Sequence, residues 1–281
     1  HKMEKSVAWA LTSFCPNNCS HCGAGRESTK IISALPLEKV KKIIDKLNLD
    51  GVTQISSASG EPFLRKDIFE IIRYINKKNI SISMVTSGNG LKKEWLDYLL
   101  KSEVKNKITF SLDGDTEEIN DKIRFKGSFK LIDKHLRQIK DYKWEKYTQL
   151  NISISCTLTL LTYKRIKKIL DLIQKYEVDE LNFNYLLKMG ESRNNSNLIV
   201  PRNKLKEIGE ILDKENSNYD FNITYSLAEK AEKIEVGCYN LKNHSINIDN
   251  LGFVFPCDQM LPGDMPLNVV KSLFRKDEAL N

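Results

Sequence analysis

The feature that most constrains this chain is a rhythm in which short β-branched runs alternate with amphipathic helical segments, six times, up to about residue 187. Runs with period-two alternation predict strands over Val7–Phe14, Val52–Ala58, Ile80–Thr86, Ile108–Asp113, Leu150–Thr159 and Leu181–Leu187. Between them, apolar residues recur at helical spacing over Pro36–Leu49, Asp67–Asn76, Lys92–Leu100, Phe129–Asp141 and Lys164–Tyr176. Pro36 opens its segment, where a missing backbone N–H costs nothing. Successive parallel strands need long crossovers, and these are right-handed, so the pattern predicts an α/β fold with helices wrapped around a parallel sheet.

The rhythm breaks at the polar, turn-rich stretch Glu191-Ser192-Arg193-Asn194-Asn195-Ser196-Asn197. Beyond it the pattern predicts a helix over Asn203–Lys214, a strand over Phe221–Tyr225, and a hairpin. The hairpin joins Ser245–Ile248 to Phe253–Phe255 through Asp249-Asn250-Leu251-Gly252. A last helical pattern covers Leu267–Arg275. The expected organisation is therefore a main domain over 1–190 and a small C-terminal α+β extension over 191–281.

Composition removes several classes of function. No apolar run reaches the ~20 residues that span a bilayer, so no membrane association is expected. His1-Lys2-Met3 opens no apolar export segment and reads as a remnant ahead of a native Met, so a cytoplasmic protein is expected. The net charge of +7 rests on lysines spread along helical faces, such as Lys39, Lys41, Lys42 and Lys46, which argues against a nucleic-acid partner. Six cysteines could form a disulfide framework, but such frameworks belong mostly to short secreted domains. A tight triplet near the start points instead to metal.

That triplet is Cys15-Pro16-Asn17-Asn18-Cys19-Ser20-His21-Cys22, directly after the first strand. Three thiolates on one short loop suit three irons of a 4Fe–4S cube and leave the fourth iron open to an outside ligand. The competing reading is a tetrahedral zinc site made of the same cysteines and His21. Against it, His21 adjoins Cys22, and adjacent residues rarely reach one small ion together.

The loop resembles the signature of the radical S-adenosylmethionine (SAM) superfamily, and the resemblance extends over residues 7–190. It implies a partial (β/α)6 TIM-like barrel, matching the six units read from periodicity. It also implies a 4Fe–4S cluster and SAM as cofactors, with reductive cleavage of SAM to a 5′-deoxyadenosyl radical that takes hydrogen from a substrate. Ser59-Gly60-Glu61-Pro62 resembles the family motif that meets the SAM amino group, with Ser59 in place of the usual first glycine. Thr86-Ser87-Gly88-Asn89-Gly90 resembles the turn after strand three. Ser111, Asp113 and Arg124 resemble the group that holds the SAM ribose and carboxylate, and Leu187 sits where the family packs adenine. The resemblance thus nominates His21, Gly60, Glu61, Ser87, Asn89, Ser111, Asp113, Arg124 and Leu187 as SAM contacts. Each lies at or beyond the C-terminal end of a strand, where α/β barrels assemble their sites.

Cys238 and Cys257, with Gly252 between them, resemble the opening half of the SPASM or twitch extension, which implies an auxiliary iron–sulfur cluster. Cys156, within the fifth strand, reads by default as a small buried hydrophobe. Cys156 and Cys238 are also candidates for a hydrogen-atom donor, as in radical epimerases. The expected function is a radical SAM oxidoreductase acting on a peptide, in the manner of ribosomal peptide maturases, with a flavodoxin- or ferredoxin-type reducing partner. The alternatives are a dehydrogenase or epimerase of a sugar or aminocyclitol, and a non-catalytic zinc protein. With 14 residues ahead of Cys15, no fused peptide-recognition domain is expected at the N-terminus.

Overall fold

In Asn151–Leu158 the residues Ile152, Ile154, Cys156 and Leu158 alternate with Ser153, Ser155 and Thr157, and a similar alternation recurs in Ser81–Thr86 and Glu180–Tyr185. The computed structural model describes residues 5–25, 29–30, 34–226, 246–252 and 254–255. Its first half runs β1 (Lys5–Trp9), α1 (Leu37–Leu49), β2 (Val52–Ser57), α2 (Ile68–Lys77), β3 (Ser81–Thr86) and α3 (Lys93–Lys101). It continues through β4 (Lys107–Ser111), α4 (Glu117–Ile123), α5 (Ser128–Glu145), β5 (Asn151–Leu158), α6 (Ile166–Ile173) and β6 (Glu180–Tyr185). The later elements are α7 (Leu205–Glu215), β7 (Asn222–Ser226), β8 (Ile246–Ile248) and β9 (Val254–Phe255).

The strands form one open sheet in the order β7-β6-β5-β4-β3-β2-β1-β8-β9. Every pairing is parallel except the antiparallel β8–β9 hairpin. β7 therefore extends the edge beyond β6, and β8 pairs with β1 at the other edge. Gly252 closes the hairpin at φ +89°, a conformation that only glycine adopts at little cost.

Register aligns apolar residues in rows across one face: Ile55 beside Ile82, Met84 beside Ile108, Phe110 beside Ile154, and Ile154 beside Leu181. Helices cover this face. α2 presents Ile68, Ile71, Ile72 and Ile75 at the i, i+3, i+4, i+7 spacing of one helical stripe, and α6 presents Ile166, Ile169, Leu170 and Ile173. All eight are buried in the core that these helices share with the strands. The opposite rows are small and polar: Ser56 beside Ser83, Ser111 beside Ser155, and Thr157 beside Asn184.

The structure corrects three local expectations. β1 ends at Trp9, five residues before the expected Phe14. Leu11 remains buried, but beyond it the chain turns over the strand ends, with the Phe14 N–H donating to Thr12 Oγ1 at 3.1 Å. An apolar stretch was thus continuous in sequence and not in the sheet. The short helix α4 was not expected; Thr116 caps it by accepting from the Ile119 N–H. The segment read as one helix over Lys164–Tyr176 is α6 flanked by single 3-10 turns. The helical pattern at Leu267–Arg275 lies outside the described residues.

Candidate active site

The loop after β1 crosses the C-terminal ends of the strands and carries Cys15, Cys19 and Cys22, none of them in a disulfide. Backbone bonds fix its course. The Cys15 N–H donates to Thr29 O at 2.8 Å, and the Cys22 N–H turns back to Cys19 O at 3.2 Å. Ser20 donates twice to Ile123 O at the end of α4, from its N–H at 2.9 Å and its hydroxyl at 2.8 Å. Cys19 is buried and the other two thiols are half-buried. Burial pushes the Cys15 thiol up to about 11, and the neighbouring Cys19 and Cys22 push in the same direction. Burial also raises Cys19, against the pull of Arg124.

Gly60 packs beneath the root of this loop at φ +65°. A Cβ there would fall 2.6 Å from Thr12 O and 2.9 Å from Phe14 O, so only glycine lets the two segments meet. The next N–H, of Glu61, donates to Phe14 O at 2.8 Å. The Glu61 carboxylate is 1% exposed and turned towards the end of β3. It accepts from the Thr86 hydroxyl at 2.5 Å, the Ser87 N–H at 2.8 Å and the Ser87 hydroxyl at 2.5 Å. Burial raises its pKa, and these donors only partly offset that. Glu61, expected to meet the SAM amino group, anchors the Thr86–Ser87 turn through both its oxygens. That turn reaches the cysteine loop, because Asn17 Nδ2 donates to Ser87 Oγ at 2.8 Å and Asn89 Nδ2 to Asn17 Oδ1 at 3.3 Å.

A second buried network lies at the end of β4. Arg124 Nη1 donates to Asp113 Oδ2 at 2.6 Å, and the Thr157 N–H donates to Asp113 Oδ1 at 2.7 Å. His21 Nε2 lies 3.4 Å from Asp113 Oδ2 and ties the cysteine loop to this pair. Burial disfavours the charge on Asp113, but Arg124, His21 and the Thr157 N–H outweigh it and hold the carboxyl below its usual range. Arg124, expected to fork onto the SAM carboxylate, has one arm on Asp113, and its Nε is buried without a protein partner. Ser111 is buried at the end of β4.

Between the cysteine loop and the end of β6 is a pocket of about 220 Å³ lined by His21, Gly23, Thr157, Asn184, Leu187 and Met189, among others. Leu187 is 46% exposed at its rim. A larger groove, of about 870 Å³, lies at the opposite ends of the strands among Arg73, Tyr74, Asn76, Tyr98 and Lys101, and none of the motif residues lines it. The smaller pocket is the one beside the cysteine chemistry.

Cys156 is fully buried in the apolar core with Ile154 and Leu158, and burial raises its thiol well above the ordinary value. By strand alternation a hydrogen-donor role would require it on the other face, where Thr157 lines the pocket. Cys238 and Cys257 lie outside the described residues. Sequence reasoning missed Asn17, Asn120, whose Oδ1 accepts the Asp113 N–H at 2.9 Å, Asp121, which accepts from Asn120 Nδ2 at 3.2 Å, and His135. The last donates from Nε2 to Gly88 O at 3.2 Å beneath the β3 turn. Helical periodicity marked His135 only as a residue of α5 and gave no sign of this contact.

Residues 9–173, more than half of the chain, match the family model described as "Radical SAM superfamily". This chain belongs to the radical SAM superfamily. Its cofactors are accordingly a 4Fe–4S cluster and SAM. It is 29% identical over 153 residues to the mycofactocin maturase MftC of Mycolicibacterium smegmatis, covering 54% of this chain and 37% of that one. It is 29% identical over 228 residues to the Fe-coproporphyrin III synthase of Methanosarcina barkeri, covering 75% and 55%. The radical SAM chain thus spans about a third to a half of these relatives' lengths. In fold it is similar to Streptococcus suis SuiB bound to the precursor peptide SuiA, with a TM-score of 0.75, 15% identity, and 94% and 61% of the two chains covered. These likenesses bear out the partial TIM-barrel expectation, as an open sheet.

The residues present fit the cluster and SAM. The three thiols share one loop and feel one another electrostatically. His21 Nδ1 and Arg124 Nε are buried polar atoms with no protein partner, on two side chains that share Asp113 Oδ2. Among the described residues, no three His, Cys, Asp or Glu side chains converge on a point suited to a single metal ion. A cube separates its thiolates onto different irons, which suits three cysteines spread along one loop.

Proposed function

We propose that this chain is a radical SAM oxidoreductase that modifies a peptide. The observation that carries the proposal is the junction of three networks at one end of the sheet: the cysteine loop, the Glu61-anchored β3 turn and the Asp113–Arg124 pair. When bound, the cluster and SAM supply a 5′-deoxyadenosyl radical that takes a hydrogen atom from substrate. Cys15, Cys19 and Cys22 hold the cluster. Glu61 fixes the Ser87–Asn89 turn against the loop, Gly60 allows the close approach, and Asp113 orients Arg124 and His21. Ser111 and Leu187 complete the site, with Leu187 at the rim of the pocket that receives adenine.

Two observations support a peptide as substrate. Relatives include proteins named mycofactocin maturase and PqqA peptide cyclase, and the fold neighbour SuiB binds a precursor peptide. The sheet face opposite the helices also carries small neutral side chains, Ser83 and an Asn184–Ser155 pair joined by a 2.9 Å hydrogen bond, whose remaining donors and acceptors suit main-chain amides. The reducing partner is of flavodoxin or ferredoxin type. Residues 1–190 form the radical SAM core and 191–281 the SPASM/twitch-like extension, in which Cys238 and Cys257 ligate an auxiliary cluster. The setting is cytoplasmic; no helix among the described residues is long and apolar enough to cross a membrane.

The test is anaerobic reconstitution with iron and sulfide, then an assay for 5′-deoxyadenosine with and without candidate precursor peptides. Formation of 5′-deoxyadenosine stimulated by a peptide, together with a mass change in that peptide, is expected. A reconstituted protein that binds a cluster and cleaves SAM, yet responds only to small sugars, would overturn the peptide reading.

A further inference from the structure

The polar stretch after β6, which reads in sequence as a boundary between domains, lies against the cysteine loop. Gly190 is the contact point. It sits at φ +53°, and a Cβ on it would collide with Cys22 O and Gly23 O and fall 2.6 Å from Gly23 C. Its neighbour Glu191 donates its N–H to Cys22 O at 2.9 Å. Four residues on, Asn195 Nδ2 donates to Ser20 O at 3.1 Å and to Glu191 O at 3.1 Å. Both partners are carbonyl oxygens, so the amide nitrogen must be the atom that faces them.

The stretch is itself braced. Ser192 is fully buried, its hydroxyl shares its single proton between Leu187 O at 2.5 Å and Met189 O at 2.7 Å, and it accepts from the Met189 N–H at 2.8 Å. Two backbone carbonyls of the Cys19–Cys22 turn, those of Ser20 and Cys22, are therefore held by a rigid turn from a distant part of the chain. α4 holds the same turn from the other side, through the bonds between Ser20 and Ile123 O. Met189 also flanks Gly23, with Sδ 3.6 Å from the position of a Cβ there, and both residues line the pocket beside the cysteines.

We propose that Gly190 and Asn195 are positioning residues for the iron–sulfur cluster, forming with Glu191 a latch that sets where the Cys19–Cys22 turn presents its thiolates. The proposal rests on Cys15, Cys19 and Cys22 being the cluster ligands. Outer partners of metal ligands matter because they fix ligand orientation, and their loss typically weakens metal retention by roughly 10- to 100-fold. The latch also gives any change in the 187–198 segment a direct mechanical route to the cluster.

The test compares Gly190→Ala with Gly51→Ala in the 281-residue chain. Gly51 has a similarly unfavourable φ of +77°, but nothing lies within 4 Å of a Cβ there, so it controls for backbone strain alone. Both variants are reconstituted anaerobically and desalted. Iron per chain, the electron paramagnetic resonance spectrum of the reduced cluster with and without SAM, and apo-protein melting temperature are then measured. Gly190→Ala should lose most of its iron on desalting, or retain it with a shifted spectrum, while Gly51→Ala keeps wild-type iron and spectrum and only melts earlier. Asn195→Asp is the second variant. It has nearly the same shape but sets a carboxylate against two carbonyls, and it should weaken iron retention in the same roughly 10- to 100-fold range. If Gly190→Ala matches Gly51→Ala in iron and spectrum, or Asn195→Asp is indistinguishable from wild type, the latch is wrong. A wild-type chain that takes up no cluster would instead overturn the reading of the three cysteines.

Discussion

At the scale of single residues, the site depends on buried charges held by specific partners. Asp113 is fully buried and ionised because Arg124 and the Thr157 N–H hold it so. Asp113→Asn leaves the Arg124 guanidinium buried beside a neutral amide, and breaking a buried pair from one side typically costs about 3–5 kcal/mol. Arg124→Lys keeps the charge and so should cost less stability, while losing the planar fork and its buried, unpartnered Nε. Urea unfolding of the two apo variants checks the order; a more stable Asp113→Asn than Arg124→Lys would contradict it. Asp121 illustrates a different dependence. Burial raises its pKa, but the N–H groups of Phe129 and Gly127 and the side chains of Asn120 and Ser128 outweigh that and hold it below its unfolded value. A depressed folded pKa contributes stability that is present above the unfolded value, near ~3.9, and is lost as pH falls towards the folded one. Asp121→Asn should therefore lower stability at neutral pH and flatten the loss between about pH 5 and pH 3, measured by urea unfolding across that range.

At the scale of elements, strands were legible where alternation was strict, and less so where the chain leaves the sheet. Ile152, Ile154, Cys156 and Leu158 are on the core face of β5 because period two leaves them no other. Leu11 to Phe14 looked like more of β1, since burial above the sheet and burial within it draw on the same residue types. α4 has too few turns for a periodic signal, so only its Thr116 cap could have betrayed it. The contacts that build the site, such as Asn17 with Ser87 or Asn195 with Ser20, join residues far apart in sequence and leave no local trace. One structural pair was equally hidden. Asn76 and Asn106 exchange side-chain amide bonds at 2.9 and 3.0 Å, and Asn106 Oδ1 also accepts the Ile82 N–H at 3.0 Å. Both asparagines are buried, so Asn106→Ala strands a buried N–H and a buried amide at a cost of about 1–3 kcal/mol for each unsatisfied group. Thermal unfolding checks this, and Lys77→Ala, an exposed neighbour that lines the larger groove, serves as the comparison.

At the scale of the whole molecule, the fold and the chemistry occupy different parts of one sheet. The apolar core lies between the strands and their covering helices, whereas the cysteine loop crosses the strand ends and contributes only Cys19 among its thiols to the buried set. Core truncations such as Ile72→Ala should cost about 2–5 kcal/mol. Replacing Cys15, Cys19 and Cys22 together by Ala removes little buried surface, and none of the three belongs to the main core cluster. The triple variant should keep the far-ultraviolet circular dichroism of the parent apo-protein and lose SAM cleavage altogether. Its iron content carries a further result. If Cys238 and Cys257 ligate an auxiliary cluster, the reconstituted triple variant retains iron and the visible absorption of a cluster, because those cysteines belong to a different part of the chain. A colourless, iron-free variant with native circular dichroism would remove the auxiliary cluster while leaving the radical SAM core intact. A variant with disrupted circular dichroism would show instead that the loop contributes to the fold, contrary to the separation of core and site argued from burial.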